Sequence, residues 1–202
     1  MTQAAYCPTV QLGAGNAAIG SLAAGNNTIG ALGAGNAVIG TVSVQSPGTV
    51  IQQTPVVTAG AYAAGKCVGG LLTLNNAASG TTRPSILQSV CVTDNSNGNV
   101  PLSILFFGSA PAGNYTDGNN VSLSSADLAL VQAKVDVATG DYVRVGTGNT
   151  VLANGPNQSG LGKEIQATGN TSLYALAVAT GAGSNNFTGN QSLTFTFGFL
   201  LG

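Results

Sequence analysis

Leu193-Thr194-Phe195-Thr196-Phe197-Gly198-Phe199-Leu200, near the end of the chain, decides the fold class. Leu193, Phe195, Phe197 and Phe199 share one face of an extended chain, and Thr194, Thr196 and Gly198 share the other. A period of two is the signature of a half-buried strand. Aromatics spaced on one face point to core packing rather than to stacking on a sugar.

The same alternation recurs upstream. Leu102, Ile104 and Phe106 alternate with Ser103, Leu105 and Phe107. Further strands are expected at Cys67–Leu74, Ser85–Val92, Lys134–Ala138, Tyr142–Val145 and Leu173–Ala179. Turn pairs separate them at Asn97-Gly98, Asp117-Gly118, Thr139-Gly140 and Asn154-Gly155. One helix is expected from Ser125 to about Ala133. Ser124 caps it, Asp127 favours its positive N-terminal end, and Leu128 and Val131 face the core. Many short strands with one short helix predict an all-β chain, a β-sandwich or jelly-roll-like domain.

The front of the chain reads differently. Met1 to Gly65 contains no charged side chain. Within it a ten-residue unit occurs three times, at 11–20, 21–30 and 31–40, with a degenerate start of a fourth at Thr41. Leu12, Leu22 and Leu32 correspond, as do Asn16, Asn26 and Asn36, and Ile19, Ile29 and Ile39. Glycine at this density disfavours a helix, and Gly-Asn is turn chemistry. One unit is too small to bury its own Leu and Ile, so neighbouring units or neighbouring chains must cover them. These nine residues are the expected assembly contacts, with the isoleucines as anchors. The division expected from composition is an uncharged arm or stalk over 1–59, carrying the repeats at 11–40, and a sandwich over 60–202.

Composition narrows the function. Charged residues make up 5% of 202, against roughly 25% in ordinary soluble proteins. The net charge of −1 leaves no basic footprint for nucleic acid. So few charges point to large buried interfaces. There is no His, which removes Ser-His-Asp and Cys-His catalysis and ordinary zinc sites. Cys7, Cys67 and Cys91 are an odd set that closes no disulfide framework and suits a reducing cytoplasm. No Lys or Arg precedes Lys66, so the start lacks the basic region of a signal peptide. No apolar run is long enough to span a membrane as a helix.

Three motifs tempt and fail. Gly60-Ala-Tyr-Ala-Ala-Gly65-Lys66 spells most of a P-loop, but Cys67 stands where Mg²⁺ needs Ser or Thr, and a strand follows where phosphate needs a helix. Gly13-Ala-Gly15-Asn-Ala-Ala18 matches a dinucleotide fingerprint only as a by-product of the repeat, and no acid follows before Asp94. Asp94-Asn-Ser-Asn-Gly98 resembles a calcium loop with its glycine one place early and Leu105 at the twelfth position, so a surface turn is expected. Among Asp94, Asp117, Asp127, Asp136, Asp141 and Glu164 nothing marks a catalytic pair. The expectation is a protein with no catalytic residue, cofactor or metal.

Four stretches together resemble a family of tailed-bacteriophage virion proteins. They are Gly60-Ala-Tyr-Ala-Ala-Gly-Lys-Cys-Val-Gly-Gly-Leu-Leu-Thr-Leu74, Ile86-Leu-Gln-Ser-Val-Cys-Val-Thr-Asp94, Pro101-Leu-Ser-Ile-Leu-Phe-Phe-Gly108 and Leu123-Ser-Ser-Ala-Asp-Leu-Ala129. The similarity runs from about Gly60 to Gly202. The chain departs from the family at Lys66 and Cys67, where an acid and an apolar residue are usual. The resemblance implies a head decoration, or cement, protein. It would be a homotrimer assembled in the bacterial cytoplasm and bound to the major capsid protein on the head exterior, with no membrane or nucleic-acid partner. The alternative is a head or tail fibre whose sandwich binds a host glycan, for which Tyr115, Tyr142 and Tyr174 are the spare aromatic candidates.

Overall fold

The computed structural model describes residues 47–145, 151–153, 161–183, 187–190 and 192–202. In chain order the strands are β1 (Gly48–Gln53), β2 (Cys67–Leu74), β3 (Ser85–Asp94), β4 (Leu102–Phe107), β5 (Val131–Val137), β6 (Tyr142–Arg144), β7 (Val151–Ala153), β8 (Glu164–Ile165), β9 (Leu173–Ala179) and β10 (Leu193–Leu200). A single helical turn, α1 (Ser125–Leu128), precedes β5. The strands form two antiparallel sheets. One runs β1-β10-β3-β7-β6, with β8 also pairing β3, and the other runs β2-β9-β4-β5. The fold is a β-sandwich.

The alternation read in the C-terminal strand explains the arrangement. Phe195, Phe197 and Phe199 are fully buried. The Phe197 ring meets Phe106 of the opposite sheet edge-on at 5.4 Å and stacks with Phe195 at 5.9 Å. Leu87, Val90 and Val92 of β3 and Ile104 and Phe106 of β4 complete the middle of this core. Each fully buried Phe or Leu stabilises by about 1.5–3 kcal/mol, which makes β10 the element that fastens the two sheets.

Three expectations need correction. The helix stops at Leu128 instead of reaching Ala133, and Val131 opens β5. Leu128 is 56% exposed rather than core-facing. Pairing with β4 overrides the helical spacing: Leu102 faces Val137 and Ile104 faces Val135 across the ladder, and β-branched valines pack well there. Ser124 does cap the turn, its Oγ accepting from the Asp127 amide at 3.0 Å. Secondly, β1, β7 and β8 were not expected; they are short, and β1 has only Ile51 as an inward apolar residue. Thirdly, the boundary at 59/60 falls too late. β1 is an integral sheet strand, and the compact body begins at Pro47. An uncharged composition shared with the repeats hides that strand from a reading by composition.

The outer side of the β2-β9-β4-β5 sheet carries a second apolar cluster. Cys67, Phe107, Tyr115 and Leu176 are buried there, with Leu105, Leu123, Leu130 and Tyr174 packed against them. The connection from β4 to β5 lies over this side, so the sheet is covered on both faces. Asp127 fastens the connection: its carboxylate accepts from the Ala112 amide at 2.7 Å and from the Tyr115 hydroxyl at 2.8 Å. Among the described residues no helix is long and apolar enough to cross a membrane.

Candidate functional site

The nine repeat residues expected to make assembly contacts, Leu12, Asn16, Ile19, Leu22, Asn26, Ile29, Leu32, Asn36 and Ile39, lie outside the described residues. The surface they would adjoin along the chain is the outer face of the β1-β10-β3 sheet. Ladder register lays out that face in cross-strand rows. Val50, Gly198 and Ser89 form one row, and Gln52, Thr196 and Cys91 the next. A third row runs from Thr194 to Thr93 and on through Leu152 to Val143. None of these residues is charged.

The face is polar where it needs to hold shape and apolar at its ends. Thr54 and Thr194 hydroxyls share a hydrogen bond of 3.1 Å, and the Gln52 amide donates weakly to Thr196 Oγ1 at 3.4 Å. Val50 is 73% exposed at one end and Val143 62% exposed at the other. Gly198 keeps the middle flat, since a Cβ there would sit 2.5 Å from Ser89 Oγ. Cys91 is half-buried in this face, and desolvation raises its thiol pKa.

The edges of the two sheets differ in their protection. An unpaired strand edge offers a row of N–H and C=O groups, and proteins ordinarily blunt it with charge, proline, a bulge or a covering loop. β5 carries the Lys134–Asp136 ion pair at 2.5 Å and lends Gln132 to hold Gln166. The opening of β2 is covered by the 117–121 turn, with Cys67 N donating to Asn119 O at 2.8 Å and Gly69 N to Asp117 Oδ1 at 2.6 Å. β6 is three residues long and ends in Arg144. β1 has none of these devices. It is Gly-Thr-Val-Ile-Gln-Gln, pairs with β10 in unbroken register, and among the described residues no strand lies on its far side.

The remaining candidates resolve into structural parts. The P-loop-like stretch is a turn, with Lys66 N donating to Ala63 O at 3.2 Å and Cys67 opening β2, so no helix N-terminus faces it. A shallow cleft of ≈ 260 Å³ beside it is bordered by Thr58, Gly60, Tyr62 and Lys66. Asp117 braces that region, accepting from the Thr58 amide and hydroxyl at 2.8 and 2.6 Å and from the Tyr62 hydroxyl at 2.5 Å. Burial, and then this carboxylate, push the Tyr62 phenol up to about 12.

Asp94 is not an exposed turn residue as expected, because it is fully buried at the end of β3. Its Oδ1 accepts from Ser96 N at 2.8 Å and Ser96 Oγ at 2.5 Å. Its Oδ2 accepts from Gly98 N at 2.7 Å and Asn99 N at 3.0 Å. Both oxygens thus serve their own loop, whose Asn97 and Asn99 sit at φ of 59° and 52°. Asp136 and Asp141 likewise hold neighbours, Ser103 Oγ and the Ala138 amide.

The three spare tyrosines do not form an exposed aromatic cleft. Tyr115 is buried against Asp127, Tyr142 donates to Val100 O at 2.9 Å, and Tyr174 packs into the second cluster. Sequence reasoning missed β1. Its one legible signal was the position of Val50 and Gln52 opposite Ile51, too short a pattern to stand alone. Comparison with protein-family models and with curated proteins returns no match for this chain.

Proposed function

We propose that this protein is a non-catalytic structural component of a tailed-bacteriophage virion: a head decoration protein that binds the assembled shell as a homotrimer and stabilises it by bridging subunits. The observation that carries the reading is the uncharged outer face of the β1-β10-β3 sheet, ending in an unguarded strand edge exactly where the uncharged repeat segment enters the domain. A surface of Thr, Gln, Ser and Val makes hydrogen-bonded and apolar contacts that salt screens little. Such a surface suits a protein whose work is done in contact with many copies. A partner that binds only the assembled shell lowers that shell's free energy by mass action. The resemblance from about Gly60 to Gly202 supports the virion setting.

Gold-tagged antibody against the protein, imaged on intact virions, tests the reading. Gold spread over the whole head is the expected result. Gold confined to the tail tip or to a few fibres overturns it and moves the assignment to host recognition.

A further inference from the structure

We infer that the free edge of β1 is the docking site for the uncharged repeat segment, residues 11–40, of a second copy of this chain, added as an extra strand. The inference starts from the four outer edges of the sandwich. Among the described residues β5 is guarded by charge and by Gln132, β2 by the 117–121 turn, and β6 by its brevity and Arg144. Only β1 presents six regular residues without charge, proline or bulge. An edge left open in this way is a template for another strand.

The occupant is constrained by what lies on the page. A strand beside β1 must tolerate Val50, 73% exposed, and must bring no unpaired charge to a face that has none. Residues 1–46 contain no charged side chain and repeat Leu and Ile every ten residues. Such a segment covers Val50 with apolar side chains and meets Thr and Gln with Asn. Its length is ample, since 40 extended residues reach up to roughly 140 Å.

The donor is another copy because of how the chain enters. Gly48 is already a paired residue of β1, opposite Leu200, and its φ is not in the left-handed region that a Pro47-Gly48 reversal of the type II kind needs. The residues before Pro47 are therefore directed onward from β1 rather than folded beside it. An arm-to-edge contact is heterologous, donor surface to a different acceptor surface, and closes into a ring when the rotation allows. The pairing operates between copies whether or not they sit on a virion.

The test uses full-length chains and their mass in solution by sedimentation. Wild type is expected to be oligomeric, and Val50→Lys, which places a charge on the open edge, to weaken self-association by about ten-fold or more. A chain carrying Ile19→Lys, Ile29→Lys and Ile39→Lys is expected to fail in the same way. Mixed together, the two variants should recover a one-to-one complex, because the first keeps an intact arm and the second an intact edge. Val50 is exposed, so its variant should keep the wild-type circular dichroism; Gln52→Lys repeats the test if it does not. A monomeric wild type, an unchanged mass for Val50→Lys, or a mixture that forms no one-to-one complex each overturns the inference. The last result would mean edge-to-edge or arm-to-arm contact instead.

Discussion

Removing the Asp94 carboxylate should cost more than any other single polar change in the domain. The side chain is fully buried and accepts hydrogen bonds from Ser96 N, Ser96 Oγ, Gly98 N and Asn99 N. A hydrogen bond to a charged acceptor contributes about 1.5–3 kcal/mol net. The bonds are not additive, because each oxygen is shared by two donors and Asn95 leaves one side of the turn open to water. Asp94→Ala strips the acceptor and leaves buried amides unpaired, so a loss of about 3–5 kcal/mol is expected. For a domain of this size that lowers the midpoint of thermal unfolding by roughly 10–15 °C. Asp94→Asn keeps the shape and one acceptor oxygen, and should lose about half as much, ~2 kcal/mol. Urea unfolding followed by circular dichroism measures both. A loss below about 1 kcal/mol for Asp94→Ala would refute the idea that this carboxylate organises the 95–99 turn.

Phe197→Ala opens a cavity between the sheets and removes the Phe106 and Phe195 ring contacts; a loss of about 3–5 kcal/mol is expected in the same assay. On the acid side, the Ala112 amide and then the Tyr115 hydroxyl hold the Asp127 carboxyl below its ordinary 3.8. A depressed folded pKa contributes stability above the ordinary value and loses it as pH falls through the folded one, so Asp127→Asn should flatten the stability profile below pH 3.8. On the alkaline side, burial followed by Asp127 pushes Tyr115 up to about 12, and Tyr62 reaches the same value for the same kinds of reason. A raised folded pKa gives stability that is complete below 10 and lost as pH rises toward 12, to be seen as tyrosinate absorbance appearing together with unfolding. Finally, Cys67 is buried with its thiol pushed up to about 11, whereas Cys91 is half-buried on the sheet face, so thiol reagents should label Cys91 first and Cys67 only on unfolding.

The functional surface was less legible than the fold. The uncharged composition announced contact with partners, but it located that contact in the repeats at 11–40, which lie outside the described residues. The part of the surface that the structure describes is made by rows such as Gln52, Thr196 and Cys91, drawn from three strands far apart in the chain. No local pattern joins those residues. The same holds for Asp117, whose turn context was readable but whose hold on Thr58, Tyr62 and Gly69 was not.

What the sequence determined by itself was the period of its strands. Alternation in 193–200 and 102–107 is a local property of the chain, set by which side of an extended backbone each side chain leaves, and burial of Phe195, Phe197 and Phe199 followed from it. The capping of α1 by Ser124 was equally local. Tertiary structure decided the rest. Val131 belongs to a strand because β4 lies beside it, although its spacing suited a helix. Gly48–Gln53 is a strand because β10 pairs with it, although it carries one inward apolar residue. Asp94 is a buried staple because its own loop closes over it. In each case the deciding free energy comes from a partner distant in sequence or from burial created by the whole fold, and neither is written in the residues next door.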